Sequence, residues 1–246
     1  MIFPFFKKKK KEIQRGPRLH VDIHSHLIPA IDDGSQSMEE SLILLKGLEA
    51  LGYEKLITTP HIMSDSYRNS AETIVPGLEA LRSAAQKEGI NLQIEAGAEY
   101  YLDDAFYDKL ETTPIMSIAG EYILFESSYI SKPLQMEEMI FAIGEAGYKP
   151  MLAHPERYRY IKDPQKEYRR FKELGVFFQV NLNSFGGHYG KGAQGLAHYL
   201  NKAGLIDFLG SDTHHKKQVD SLEAIFYSDV YHDIFKHNTI KNDDLI

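Results

Sequence analysis

Short apolar segments alternate with helix-forming segments along nearly the whole chain, and this alternation limits the possible folds most. The apolar segments are predicted to be strands over 19–23, 55–59, 92–96, 122–125, 150–153, 176–180 and 206–209. Because parallel strands are joined by helical crossovers, the pattern predicts an α/β fold. A length of 246 residues is enough for one barrel or for two small domains.

Side chains able to bind a metal ion follow the carboxyl ends of six of these seven strands. They are His24, His26, His61, Glu99, Glu126, His154, Asp212 and His214, and Asp33 lies in the loop after the first strand. An open sheet would spread six strand ends over roughly 25 Å, at about 4.8 Å per strand. A closed barrel brings all of them to one rim. We therefore predict a single-domain barrel over residues 18–246.

The segment His24-Ser25-His26 places two imidazoles two residues apart at the end of the first strand. Alternate residues of an extended chain share a face, so both rings can point at one ion. Taken alone, the pair is as consistent with two solvated surface histidines as with a metal site. The full set of nine side chains is too large for one ion and suits two or three. The sequence contains no cysteine, so the ligands of any metal are nitrogen and oxygen atoms.

The net charge of −7 argues against a nucleic-acid partner, because such proteins usually carry an excess of basic residues. No apolar run approaches the roughly 20 residues that span a bilayer. The absence of cysteine fits a reducing cytoplasm, which is the expected location.

Residues 1–17 are predicted to form a flexible, lysine-rich arm. An apolar start is followed by five consecutive lysines, Lys7 to Lys11, in the reverse order of a secretory signal. A solvated arm is the simpler interpretation. The alternative is weak contact with an anionic membrane surface, at about 1 kcal/mol per lysine.

Together these stretches resemble the polymerase-and-histidinol-phosphatase (PHP) superfamily. The closer resemblance is to the bacterial manganese-dependent protein-tyrosine phosphatases of capsule and exopolysaccharide operons. The resemblance covers about 19–215. The matching motifs are Asp22-Ile23-His24-Ser25-His26, Ile31-Asp32-Asp33-Gly34, Thr59-Pro60-His61, Gly97-Ala98-Glu99, Phe125-Glu126, Ala153-His154-Pro155-Glu156-Arg157 and Ser211-Asp212-Thr213-His214.

The resemblance implies a distorted (β/α)7 TIM-like barrel with three divalent ions, Mn²⁺ in the first place and Fe or Zn as alternatives. It assigns the first ion to His24, His26, Glu99 and Asp212. It assigns the second ion to Glu99, Glu126 and His154, and the third to Asp33, His61 and His214. Three such ions against four carboxylates would leave the site at about +2, which attracts a phosphate dianion.

The implied activity is metal-assisted hydrolysis of phosphotyrosine on a protein, expected to be a bacterial tyrosine autokinase that regulates capsular or exopolysaccharide synthesis. Arg157, His61 and His214 are the expected catalytic residues, and Arg157 is expected to hold the phosphate through two hydrogen bonds. An arginine paired with a neighbour at the surface is the alternative for Arg157. Related proteins carry a second phosphate-contacting arginine after the last motif; here Lys216 and Lys217 stand in that region.

Aromatic residues and a glycine-rich loop also lie near the predicted rim. Tyr100, Tyr101, Tyr158 and Tyr160 follow ligand-bearing strands and are candidates for stacking on a tyrosyl ring, although core packing is expected for at least half of them. The loop over 184–192 contains His188 and could close over substrate. His215, next to a predicted ligand, could line the pocket.

Other functions stay open at this point. The same site could act on histidinol phosphate, on small phosphate esters or on nucleic acid. An amidohydrolase is disfavoured, because those barrels usually carry a lysine on a middle strand where this chain has Glu99 and Glu126. A non-catalytic metal-binding protein is disfavoured because the ligand set is complete. The oligomeric state is not predicted.

Overall fold

The computed structural model describes residues 16–112 and 115–246. The lysine run and most of the predicted arm, residues 1–15, lie outside the described residues. The last two residues of that arm contact the carboxyl-terminal helices. The Gly16 N–H donates to the Phe226 carbonyl at 2.9 Å, and the Tyr231 hydroxyl donates to the Pro17 carbonyl at 3.0 Å. Within the described ranges, no helix has both the length and the apolar character needed to cross a bilayer.

All strands pair in parallel, as the alternating pattern predicts. One sheet has the order β1-β2-β4, and the second has the order β3-β5-β6-β7-β8-β9. The strands are β1 (Val21–Asp22), β2 (Lys55–Thr58), β3 (His61–Ile62), β4 (Gln93–Ala96), β5 (Glu99–Tyr101), β6 (Tyr122–Glu126), β7 (Lys149–Ala153), β8 (Phe177–Asn181) and β9 (Phe208–Gly210).

The second and third predicted strands are each divided in two. Pro60, which has no N–H to donate, separates β2 from β3, and Gly97 lies between β4 and β5. A Cβ atom at Gly97 would lie 2.9 Å from the Ile118 side chain, so a larger residue would require that side chain to move. Beyond each break the chain joins the second sheet, where His61 and Glu99 are direct register partners.

Hydrogen bonds also join the ends of the first and last strands. The Asp212 N–H donates to the His24 carbonyl at 2.8 Å, and the His26 N–H donates to the Thr213 carbonyl at 2.9 Å. The seven strand positions therefore follow one another in chain order around the molecule, and the last returns to the first. This agrees with the predicted α/β architecture and places both ends of the chain's ligand series side by side.

Buried side chains fill the rest of the seam between β1 and β9. The Asn242 amide donates to the carbonyls of Val21 and Leu209 at 2.9 and 2.7 Å, and its oxygen accepts the Leu209 N–H at 2.9 Å. Nearer the rim, the Asp22 carboxylate accepts the Ser211 N–H at 2.8 Å and the Ser211 hydroxyl at 2.6 Å. These bonds satisfy backbone groups that the short edge strands leave unpaired.

Helices pack outside the strands and account for most of the crossovers. Ser37 caps the first one, since its hydroxyl accepts the Glu40 N–H at 3.2 Å. The helices are α1 (Met38–Ala50), α2 (Ala71–Lys87), α3 (Asp104–Thr112), α4 (Met136–Glu145), α5 (Pro164–Glu173), α6 (Leu182–Phe185), α7 (Gly190–Lys202), α8 (Lys216–Phe226) and α9 (Asp229–His237). Short 3₁₀ turns span Pro155–Arg157 and Asn242–Leu245.

The strands are apolar on both faces, as expected for a parallel sheet covered on both sides. Alternate residues such as Ile57, Leu124 and Met151 form one buried cluster inside the ring of strands. Their neighbours, for example Leu56 and Phe125, belong to a larger cluster under the helices. Both faces are thus used for packing, which leaves the strand ends as the place for polar chemistry.

Candidate metal centre

The structure brings all nine predicted ligands into one continuous cluster. Four overlapping groups have ligand atoms within 4.8 Å of one another, and their members together are the nine predicted residues. The groups are His26-Asp33-His61-His214, His24-Glu99-His154, His24-His26-Asp212 and His61-Glu99-Glu126. Except for Asp33 and His214, all of these side chains are buried.

Glu99 lies at the centre of the cluster. Its Oε2 is 3.2 Å from His24 Nε2 and 3.2 Å from His61 Nδ1, and its Oε1 is 3.0 Å from His154 Nε2. Two ligand atoms that bind one ion at about 2.1 Å lie about 3.0 to 3.4 Å apart. These distances therefore fit ligands that share ions, with one glutamate oxygen on either side.

Some buried polar atoms in this cluster have no well-aligned hydrogen bond among the described residues, although other polar atoms lie close to them. They include Glu99 Oε1 and His61 Nδ1. Such atoms are costly to bury unless something else satisfies them. A donor set of imidazole nitrogens and carboxylate oxygens suits Mn, Fe or Zn, so the residues present fit divalent metal ions.

Two of the ligands stand on strained backbone. His154 has φ of 33° and Asp212 has φ of 50°, both in the left-handed region that non-glycine residues rarely adopt. Each follows directly after, or within two residues of, a buried strand. Strain of about 1–3 kcal/mol at such positions persists only where surrounding contacts impose it, and it is common at functional sites.

The four groups found in the structure share more residues with one another than the three ligand sets implied by the resemblance do. Glu126, assigned by resemblance to the ion of His154, lies 3.3 Å from His61 Nδ1 and 3.8 Å from His154 Nε2. His26 joins the group of the predicted third set. The assignment of ligands to individual ions therefore stays a prediction.

Carboxylates control the protonation of the clustered histidines. Burial alone lowers the pKa of His24, but Glu99 and Asp212 raise it to about 9. Burial opposes protonation of His61 too, and the Glu99 charge and the Asp33 hydrogen bond raise its pKa to about 10. His154 is the exception, because burial and the nearby Arg157 lower its pKa to about 4. Without metal, protons on the first two rings therefore offset part of the carboxylate charge.

The sixth strand position, β8, supplies no ligand but holds ligands in place. Gln179 Oε1 lies 2.7 Å from His24 Nδ1, and the Asn181 amide donates to Asp212 Oδ2 at 2.6 Å. Asp32, next to a predicted ligand in the sequence, lies 2.9 Å from His26 Nδ1. These three supporting residues were not predicted. For Gln179 and Asn181 the sequence did contain a signal, because they lie on the only predicted strand that no metal-binding side chain follows.

Arg157, the predicted phosphate ligand, is held between two tyrosine rings. Its guanidinium lies 4.5 Å from the centre of the Tyr129 ring and 4.3 Å from that of Tyr189. It donates to Asp212 Oδ2 at 3.1 Å. The tyrosine hydroxyls donate in turn to cluster carboxylates, Tyr129 to Glu126 at 3.1 Å and Tyr189 to Asp212 at 2.9 Å. We name Tyr129, Arg157 and Tyr189 the tyrosine–arginine wall.

The cluster opens into a cavity of about 320 Å³, which we name the metal cavity. Its mouth carries the half-exposed Asp33 together with His61 and His214. His188, His215 and Lys217 also line it. Lys216 instead forms an ion pair with Asp220, so only Lys217 of the two lysines considered from the sequence faces the cavity.

The aromatic residues at the cavity are not those considered from the sequence. Tyr100 and Tyr158 are buried, and their hydroxyls bind backbone groups of Met116 and Ala153. Tyr129 and Tyr189 of the wall lie in loops without a regular side-chain period, so no sequence pattern marked them.

Comparison with known proteins agrees with this site. Residues 20–224 match the family model "Capsular polysaccharide synthesis, CpsB/CapC". The chain is 29% identical over 198 residues to tyrosine-protein phosphatase YwqE of Bacillus subtilis, a match over 80% of this chain and 78% of that protein. It is 31% identical over 202 residues to tyrosine-protein phosphatase CpsB of Streptococcus pneumoniae, over 79% of this chain and 82% of that protein.

Solved structures give the same result for the fold. One, from work on YwqE of Bacillus subtilis and CpsB of Streptococcus pneumoniae as "unique metal-dependent tyrosine phosphatases", superposes with a TM-score of 0.76 at 26% identity, over 89% of this chain and 96% of that chain. An amidohydrolase from Mycoplasma synoviae has a TM-score of 0.52 at 12% identity, over 92% of this chain and 84% of its own. At that identity, the second likeness concerns the fold alone.

Proposed function

Because this chain belongs to the CpsB/CapC family of capsular polysaccharide synthesis, we propose that it is a metal-dependent protein-tyrosine phosphatase. The observation that carries the proposal is the cluster of nine ligands opening into a cavity whose wall contains Arg157. The relatives YwqE and CpsB are named tyrosine-protein phosphatases. The substrate is a phosphotyrosine protein, which we propose to be a tyrosine autokinase controlling capsular or exopolysaccharide synthesis.

We propose that the nine clustered residues hold three divalent ions, with Mn²⁺ first and Fe or Zn as alternatives. When bound, they would activate water and offset charge on the phosphate oxygens. Gln179 and Asp32 orient the rings of His24 and His26, which fixes the nitrogen that each offers. Elemental analysis of protein purified without chelator, followed by metal-rescue assays, identifies the ions.

Arg157 and Lys217 are the cations available to bind the phosphate group. Arg157 can present two N–H groups to two phosphate oxygens, and the flanking tyrosine rings limit its movement. Two interpretations of Arg157 were made from the sequence: a phosphate ligand, or an arginine paired with a neighbour. The structure has a feature of each, because Arg157 donates to Asp212 and also lines the metal cavity. Lys217 takes the place of the missing second arginine as a point charge without the fork geometry.

The catalytic role proposed for His61 and His214 follows from their position at the mouth. Both lie beside Asp33, at 3.4 and 3.5 Å, where an entering ester would meet the cluster. A tyrosyl leaving group has a pKa of about 10, well below that of an alkyl alcohol. Its departure therefore asks less of a proton donor, and no side chain is assigned as a general acid.

A substrate panel tests the proposal. The metal-loaded protein is expected to hydrolyse phosphotyrosine peptide with a far larger kcat/KM than phosphoserine peptide, histidinol phosphate or single-stranded DNA. Arg157→Ala is expected to lower kcat/KM roughly 10- to 100-fold, the effect of losing a charge-assisted hydrogen bond. The matched control is Arg169→Ala, an exposed arginine on α5. Preference for another substrate overturns the function, and a change within about twofold overturns the role of Arg157.

Two further proposals concern where the protein acts. The cytoplasm stays the proposed location, and contact of the lysine run with an anionic membrane stays an alternative for residues 1–17. Co-sedimentation with anionic vesicles, using the full chain and a variant in which Lys7 to Lys11 are serine, tests this contact. Equal pelleting of the two would exclude it.

A further inference from the structure

A larger cavity lies on the other side of the tyrosine–arginine wall. It has a volume of about 900 Å³ and shares Tyr129, Arg157 and Tyr189 with the metal cavity. The two cavities are therefore adjacent, so one substrate can reach both. We name it the basic groove, after the side chains described next.

Unpaired cations line the basic groove. Arg159, Lys162 and Lys191 are exposed there. Across residues 16–112 and 115–246, no ion pair or side-chain hydrogen bond involves their charged groups. The acid among the lining residues is Glu156, which is buried and accepts the Ser184 hydroxyl at 2.6 Å. Its carboxylate also accepts the Asn181 N–H at 3.0 Å, so its polar contacts are made inside the protein and not to the groove cations.

This positive charge contrasts with the rest of the protein. The whole chain has a net charge of −7, so an acidic ligand is repelled by most of the surface and attracted to the groove. The groove also has apolar lining from Ile130, 76% exposed, and from Leu196. Cations beside apolar side chains and glycines fit a peptide better than a long nucleic acid, which would also meet the acidic surface.

We propose that the basic groove binds acidic residues next to the phosphotyrosine of the protein substrate. The inference rests on the proposed function, because the groove is assigned through its shared wall with the metal cavity. It adds a substrate class: phosphotyrosine flanked by Asp or Glu. Charge complementarity favours this occupant, because each acidic side chain can pair with a cation that forms no ion pair within residues 16–112 and 115–246.

Binding and turnover of two matched peptides test the proposal. Both contain phosphotyrosine in the same apolar frame; one has glutamates on both sides and the other has glutamines. The proteins are the wild type, the double variant Lys162→Glu/Lys191→Glu, and the control Lys202→Glu at the far end of α7. Affinity is measured by fluorescence anisotropy with unphosphorylated versions of the peptides, and kcat and KM with the phosphorylated ones.

We expect the wild type and the control to prefer the glutamate peptide by about tenfold in affinity and in KM, with kcat similar for both. The double variant should lose or reverse this preference. An equal preference in the double variant, no preference in the wild type, or equally tight binding of a single-stranded DNA of the same length would each overturn the proposal. Fluorescence anisotropy measures binding without turnover. A protein that binds the glutamate peptide preferentially but hydrolyses neither peptide would contradict the proposed function and support the groove.

Discussion

The metal cavity and the basic groove share a wall but are built in opposite ways. The metal cavity is lined by side chains that already contact one another, such as Glu99 with His61 at 3.2 Å and with His154 at 3.0 Å. The basic groove is lined by exposed cations, Arg159, Lys162 and Lys191, which contact no partner within the described chain. Chemistry needs fixed positions, whereas recognition of a mobile peptide tolerates flexible ones.

The tyrosine–arginine wall separates the fixed side chains of the metal cavity from the exposed cations of the basic groove. Arg157 belongs to both cavities, and its planar group is fixed by two rings and by Asp212. It can therefore hold a phosphate at a set distance from the cluster while the rest of the substrate lies in the groove. If this division is correct, changes in the metal cavity should affect turnover, and changes in the groove should affect substrate preference.

The largest effect is expected from Glu99→Gln. The substitution removes a charge from the carboxylate that contacts three histidines, and breaking a buried charge pair costs about 3–5 kcal/mol. We expect kcat/KM to fall about 10³-fold for every phosphotyrosine peptide, together with a loss of bound metal. The matched control is Glu95→Gln on β4, a glutamate that pairs with Lys55 outside the cluster. Retained metal and activity would contradict a central role for Glu99.

The next largest effect is expected in the pH dependence of metal binding. His24 and His61 carry raised pKa values of about 9 and 10 in the metal-free protein, so both are protonated at neutral pH. Metal binding needs neutral imidazole and must release these protons, so acid weakens binding. We expect release of at least two protons when all ions are bound, and an overall affinity that rises at least about a hundredfold per pH unit between about pH 6 and 8. Calorimetric titration of Mn²⁺ in buffers of different ionisation enthalpy measures the release.

Peptide binding in the groove provides the comparison for this pH experiment. The groove contains no histidine among its lining residues, so its affinity for the glutamate peptide should change far less over this pH range than the metal affinity does. A metal affinity that is constant across this pH range would contradict the protonation assigned to the cluster.

The smallest effect is expected from salt concentration on kcat/KM for the two matched peptides. Raising NaCl from about 0.05 M to about 0.5 M shortens the Debye length from roughly 14 Å to roughly 4 Å, which screens exposed charges far more than buried ones. We expect kcat/KM for the glutamate peptide to fall several-fold, and that for the glutamine peptide to change much less. Parallel salt dependence of the two peptides would show that the groove does not distinguish them by charge.

The sequence predicts the clustering of the nine side chains because the backbone brings them together. Parallel strands bring their carboxyl ends to one edge, so His61, Glu99 and His154 converge without knowledge of packing. Strand breaks were not predicted, although Pro60 between β2 and β3 marks one of them. The breaks matter because they move His61 and Glu99 into register.

The surroundings of the ligands could not be predicted in the same way. Gln179 precedes the end of a strand and reads as an ordinary buried position, yet its amide oxygen orients His24. Tyr129 and Tyr189 come from loops, where contacts depend on the path of the chain rather than on a repeat. The basic groove is likewise formed by segments separated in the sequence, so its charge becomes visible only in three dimensions.

The seam between the first and last strands has a consequence for biosynthesis. Val21 precedes the asparagine that holds it, Asn242, by 221 positions. At about 5–20 residues per second, a ribosome needs roughly 10 to 45 s to make that interval. For most of this time the nascent chain contains its first two histidines without Asp212, the aspartate of their group. Metal loading is therefore expected to follow translation, and a cell short of the right ion would accumulate finished but empty enzyme.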